Sequence, residues 1–139
     1  MKTRFSSLVT IKKSTMQKSE RALQGANADL NSASIALQLS YDSLKDVEPP
    51  QQGTMSQMLA SRTLLDSQRG LIGHNKEWLS FAKNQVTQAK EKLKSDMIEH
   101  EKFKYLELEE IKKVLKEKKI QESKDLDEVA LMTHARKTH

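Results

Sequence analysis

The chain has 139 residues, of which 36% are hydrophobic, 31% charged and only 4% aromatic, too little apolar material for a thick globular core and a better match to an elongated helical protein. It has no cysteine, which excludes disulfides and thiolate chemistry, and its four histidines (His74, His100, His134, His139) do not recur at ligand spacing, so no metal site and no cofactor is expected. The net charge of +5 is modest and by itself selects no partner.

The start, MKTRFSSLVTIKK, has a basic flank, but its apolar stretch Leu8 to Ile11 is too short for a signal-peptide core. No 18-residue apolar run occurs, so a cytoplasmic chain without direct membrane insertion is expected. Lys2, Arg4, Lys12, Lys13, Lys18 and Arg21 face only Glu20 in the first 21 residues, and a second basic concentration runs from Lys112 to Lys124. Lys and Glu are good helix formers, so such runs read first as solvated helix faces.

A first helix is expected over about residues 3–47. Val9, Met16, Leu23, Leu30, Leu37 and Leu44 fall seven apart, the coiled-coil period, and are taken as the a positions. The d positions read Phe5, Lys12, Ser19, Ala26, Ala33, Ser40 and Val47. Their small residues let a partner backbone come close, one large and one small side chain filling each layer.

The segment VEPPQQG, Val47 to Gly53, holds both prolines of the chain. A proline pair ends a helix, and Gly53 can take a positive φ, so a turn is expected over 48–54, with Thr54 capping the next helix. That second helix is expected over about 55–132. Met58, Leu65, Ile72, Leu79, Val86 and Leu93 are again seven apart, with Ser61, Gln68, Asn75, Ala82, Ala89 and Asp96 three residues later. If the chain folds back on itself, residues whose numbers sum to about 105 bring large against small: Leu23 meets Ala82, Met16 meets Ala89, and Ala33 meets Ile72. The fold class is therefore all-α, an antiparallel two-helix coiled-coil hairpin with a longer second helix, forming a single domain over residues 1–139.

At about 1.5 Å per residue the helices would span roughly 65 Å and 115 Å, leaving residues beyond about 104 unpaired. That overhang keeps an apolar seam, Met97, Leu108, Ile111, Leu115, Val129 and Met132, shifted four residues from the first, which reads as a stutter. Glu109 with Lys113 and Glu99 with Lys102 can pair along its surface. Exposed Leu, Ile and Val on a lone helix suggest a missing partner.

Little points to catalysis. The carboxylates fall at charge-patterning intervals, and a two-helix hairpin offers no pocket to exclude water, so the chain reads as no enzyme. Asp96 and His100, four apart, are expected to be a solvated pair. Trp78 is expected to be partly packed beside the seam. Gly70 and Gly73, in RGLIGHN, are either tolerated or mark a bend or the approach of another backbone.

The closing run KKIQESKDLDEVALMTHARK, Lys118 to Lys137, resembles the end of the FliJ/YscO family, stalk proteins of the flagellar and virulence type III export ATPases. The resemblance lies in Leu126, Asp127, Glu128 and Ala130, then Ala135, Arg136 and Lys137, together with chain length, two long helices and the RFSSLVTIKK start. It implies a non-enzymatic stalk or adaptor that binds the hexameric export ATPase, promotes its ring assembly and activity, and couples it to the cytoplasmic domain of the export gate and to export chaperones. It further implies a position at the inner membrane at the flagellar base, and a monomer when free. Carried over residue by residue, Leu126, Asp127, Glu128, Arg136 and Lys137 are the expected ATPase contacts, and Tyr41 and His74 the expected export-gate contacts. At two neighbouring positions where the family pattern is aromatic, this chain has Asp42 and Lys45. A nucleic-acid-associated basic coiled coil is the alternative, disfavoured by the scarcity of aromatics for stacking and the lack of a DNA-binding signature. A self-assembling structural coiled coil is another.

Overall fold

A computed structural model of the chain describes residues 2–47 and 53–137. It is all-α: helix α1 is Ser6–Lys45, 40 residues, and helix α2 is Met55–Lys137, 83 residues. The prolines, Pro49 and Pro50, and most of the expected turn lie outside the described residues. The expected positive φ of Gly53 depends on its bond to Gln52 and so falls outside the described residues as well. A Cβ on Gly53 would run into the side-chain amide oxygen of Gln57, the far end of a flexible side chain. That oxygen accepts from Thr54 N–H at 3.3 Å, while Thr54 Oγ1 accepts from Gln57 N–H at 3.3 Å, a reciprocal capping box that starts α2.

The chain divides into two compact units, one of residues 17–95 and one of residues 1–16 with 96–139. In the 17–95 unit, α1 and α2 run antiparallel: Ala36 and Ser40 bond Asn75, Tyr41 lies against Lys76, and Ser43 and Val47 share a cleft with Ala60 and Leu64. The seam alternates as the heptads require. Ala33 and Ala82 are 0% and 2% exposed, with Ser19, Ser40, Ile72, Asn75 and Val86 also buried. Leu23, Leu30, Leu37, Leu44, Leu65, Leu79 and Leu93 are half-buried. The leucines thus reach the seam and keep one flank in water, while Ser19, Ala33, Ser40 and Ala82 among the small residues are covered.

The register is not the one expected. Contacts join Ala36 to Asn75, Ser40 to Asn75 and Tyr41 to Lys76, with number sums of 111, 115 and 117. The large-against-small pairing consistent with these sums to 112, one heptad more than 105: Ser40 faces Ile72, Ala33 faces Leu79, and Leu37 faces Asn75. Both arrays repeat every seven residues, so periodicity alone cannot tell 105 from 112. Specific polar contacts do. The Ser40 hydroxyl donates to Ala36 C=O at 2.8 Å, and the Asn75 side-chain amide donates to Ser40 Oγ and, at 3.3 Å, to Ala36 C=O. This buried layer has its donors satisfied in the observed register.

One consequence concerns Met58. In this register it faces no part of α1, which ends at Lys45, and it is 50% exposed rather than a core residue.

In the other unit, Val9 and Met16 are half-buried on α1. Arg4 pairs with Glu110 at 3.7 Å, and Lys12 pairs with Glu99 at 3.7 Å with its Nζ 5.4 Å from the Phe103 ring centre. Leu106, Glu107, Glu110 and Ile111 are half-buried, so α1 covers α2 to about residue 111, not 104. The expected stutter is absent. Buried or half-buried positions continue as Asp96, His100, Phe103, Glu107 and Glu110, the same heptad register as Leu93, while Met97 and Leu108 are 47% and 54% exposed. His100 occupies an a position and is buried, 8% exposed, rather than solvated. Lys12, at a d position of an otherwise apolar α1 side (Phe5, Val9, Met16), supplies this seam with both a charge and an alkyl stem. Lys12 takes the Glu99 expected to pair with Lys102, and Glu109 pairs with Lys112 at 3.6 Å rather than with Lys113.

Candidate protein-binding surfaces

Among the described residues there is no group of side chains able to hold a metal ion, and no helix is long and apolar enough to cross a membrane. What the fold offers partners is helix surface, in two places.

The first is the C-terminal part of α2. Every residue from 112 to 136 is exposed. Good helix formers sustain the helix there, with the Glu109–Lys112 pair at its start and a Gln121–Asp125 hydrogen bond along it. Apolar side chains nevertheless recur: Leu115 is 49% exposed, Leu126 69%, Val129 57%, Leu131 70% and Met132 65%. At about 100° per residue, Ile111, Leu115, Leu126, Val129 and Ala130 fall within one third of the helix circumference, so they form one stripe. Of the expected ATPase contacts, Leu126 lies in that stripe. Asp127 and Arg136 flank it, and Glu128 is roughly 200° away from Leu126, on the opposite side. The five residues therefore do not make a single face. Lys137 ends the helix, and its side chain lies outside the described residues.

The second place is in the 17–95 unit. Leu64, Leu71 and Trp78 are seven apart and 50%, 46% and 38% exposed, each one residue before a seam residue. Phe81, 62% exposed, stands three residues after Trp78, and His74, Glu77, Trp78 and Phe81 line an open cleft. His74 thus belongs to an exposed aromatic stripe. Tyr41 does not: it is half-buried on the other edge, with Lys76 Nζ 5.8 Å from its ring centre. Lys76 is two residues from His74, roughly 200° around α2, so the two expected export-gate contacts stand on opposite edges of the helix pair.

Sequence reasoning missed Leu64, Leu71, Trp78 and Phe81 as a surface, although the spacing of the first three is a second seven-residue array beside the first. Gly25, Gly70 and Gly73 have nothing within 4 Å of where a Cβ would stand, so no other backbone approaches them. They are tolerated glycines.

A family model described as "Flagellar FliJ protein" matches residues 1–139. No curated protein and no solved structure matches the chain. With the family match spanning the whole length, the chain belongs to the FliJ family and has its role in the flagellar protein-export apparatus.

Proposed function

We propose that the chain is a non-catalytic stalk of the flagellar export apparatus, acting in the cytoplasm at the inner membrane, that binds the hexameric export ATPase through the C-terminal part of α2. The observation that carries this is the exposure of every residue from 112 to 136 on a helix that still bears Leu115, Leu126, Val129, Leu131 and Met132. Exposed apolar side chains on a charged single helix gain by burial in a partner, at about 25 cal/mol per Å² of apolar surface covered. The Leu126 stripe provides the apolar anchor, Asp127 and Arg136 provide charge beside it, and binding of one helix to several ATPase subunits promotes ring assembly and hydrolysis. The aromatic stripe around His74, Trp78 and Phe81 is the surface offered to the export gate, and chaperones with their cargo are handled along the same apparatus.

The test is the hydrolysis rate and hexamer fraction of the purified export ATPase with and without this chain. Both rise with the wild-type chain, and Leu126→Ala with Val129→Ala removes the effect while helicity stays unchanged. Failure of the wild-type chain to bind or stimulate the ATPase overturns the proposal.

A further inference from the structure

We propose that α1 and α2 have a second register, shifted by one heptad, and that the Ser40–Asn75 layer holds them in the observed one. The heptad arrays permit it. A number sum of 105 pairs large with small as well as 112 does, because every seam residue from Leu65 to Leu93 has an equivalent seven residues away.

The polar contacts of the 17–95 unit are duplicated at the same interval. On α1 the receiving groups are Ala36 C=O, Ser40 Oγ and the Tyr41 ring, now met by the amide of Asn75 and the ammonium of Lys76. Seven residues before Asn75 and Lys76 stand Gln68 and Arg69, again an amide followed by a cation. A slide of α2 by one heptad brings the Gln68 amide to Ser40 and Ala36 and the Arg69 guanidinium over Tyr41, a ring face that Arg binds well.

Gln68 and Met58 also carry the mark of the other register. Gln68 Oε1 is buried with no hydrogen-bond partner, whereas Asn75 has no such atom, so the slide places Gln68 where an amide is already accommodated. Met58 is 50% exposed and would come opposite Val47, which is half-buried at the end of the α1 seam. Against the slide stand the Asn75 layer and the pairs Arg4–Glu110 and Lys12–Glu99, both solvent-accessible and so weak and screened by salt. Seven residues at about 1.5 Å each is a translation of about 10 Å. It lengthens the part of α2 not covered by α1 by about seven residues and is a built-in longitudinal movement.

The chain has no native cysteine, so nitroxide labels at Gln24→Cys and Ser67→Cys, both exposed, report the register by double electron–electron resonance without side reactions. The residue facing Gln24 is 88 in the observed register and 81 in the shifted one, so the axial separation of the labels falls from about 32 Å to about 21 Å. Asn75→Ala puts at this position the residue that Ala82 and Ala89 already supply in the next two heptads, and so keeps the seam intact. It is expected to add a second distance shorter by about 10 Å. Met58→Glu, harmless where Met58 is exposed and costly where it is buried, is expected to remove that second distance when combined with Asn75→Ala. A single, unchanged distance in Asn75→Ala at wild-type helicity overturns the proposal. So does a shorter component that persists when Met58→Glu is added.

Discussion

Ile72 and Met58 occupy the same heptad position two heptads apart, and the register makes them unequal. Ile72 is 6% exposed between the helices, while Met58 is 50% exposed beyond the end of α1. Truncating Ile72 to alanine removes three buried carbons, worth about 0.8 kcal/mol each. A cavity term adds little, because a two-helix seam is open at its edges and collapses readily, and better helix propensity returns about 0.4 kcal/mol. The expected loss is about 2 kcal/mol. Met58→Ala also removes three heavy atoms, but half-exposure halves the transfer gain and alanine again favours the helix, so its loss is about 0.5–1 kcal/mol. Urea unfolding followed by far-UV circular dichroism reads both, provided the slope of the transition is the same in the two variants. Equal losses, or a larger one at Met58, would refute the register and the reasoning built on it.

Gly70→Ala and Gly73→Ala meet open space and are each expected to stabilise the chain by about 0.5–1 kcal/mol, seen as a raised midpoint; destabilisation would show that a bend there is needed. Glu110→Ala, which breaks the Arg4 pair, is expected to cost no more than about 0.5 kcal/mol at low salt and nothing measurable at high salt. Ala33→Leu forces extra volume into a fully buried slot and is expected to cost about 1–3 kcal/mol by thermal or urea unfolding, whereas Leu131→Ala, at a 70% exposed position, is expected to stay within about 0.5 kcal/mol.

The heptads make the seam legible. Val9 to Leu44 and Leu65 to Leu93 all reach it, and the small d residues Ser19, Ala33, Ser40 and Ala82 are buried among them. What periodicity leaves open is any quantity that repeats with it. A shift of seven changes no large-against-small match, so the register rests on Asn75, Lys76 and the pairs of Arg4 and Lys12, which an apolar pattern does not weigh. His100 escapes a hydrophobic count for a related reason. A histidine in an a position looks polar there, yet one flank of this seam already tolerates Lys12 and Glu107.

The binding surfaces divide in the same way. The exposed end of α2 comes from the unequal helix lengths and is visible in the sequence, although α1 covers about seven residues more than expected. The aromatic stripe is not, because Leu64, Leu71 and Trp78 each adjoin a seam residue and are absorbed into the seam when one array is counted. Only the burial of Ile72 beside the exposure of Leu71 separates them.

Hydrogen–deuterium exchange of the full chain, alone and with the hexameric export ATPase, tests the central proposal most directly. Residues 112–136, exposed along α2, are expected to exchange readily in the free chain. Strong protection of this stretch on adding the ATPase, with the 17–95 unit unchanged, is the predicted result. Protection centred on Leu71 to Phe81, with 112–136 still exchanging freely, would contradict it.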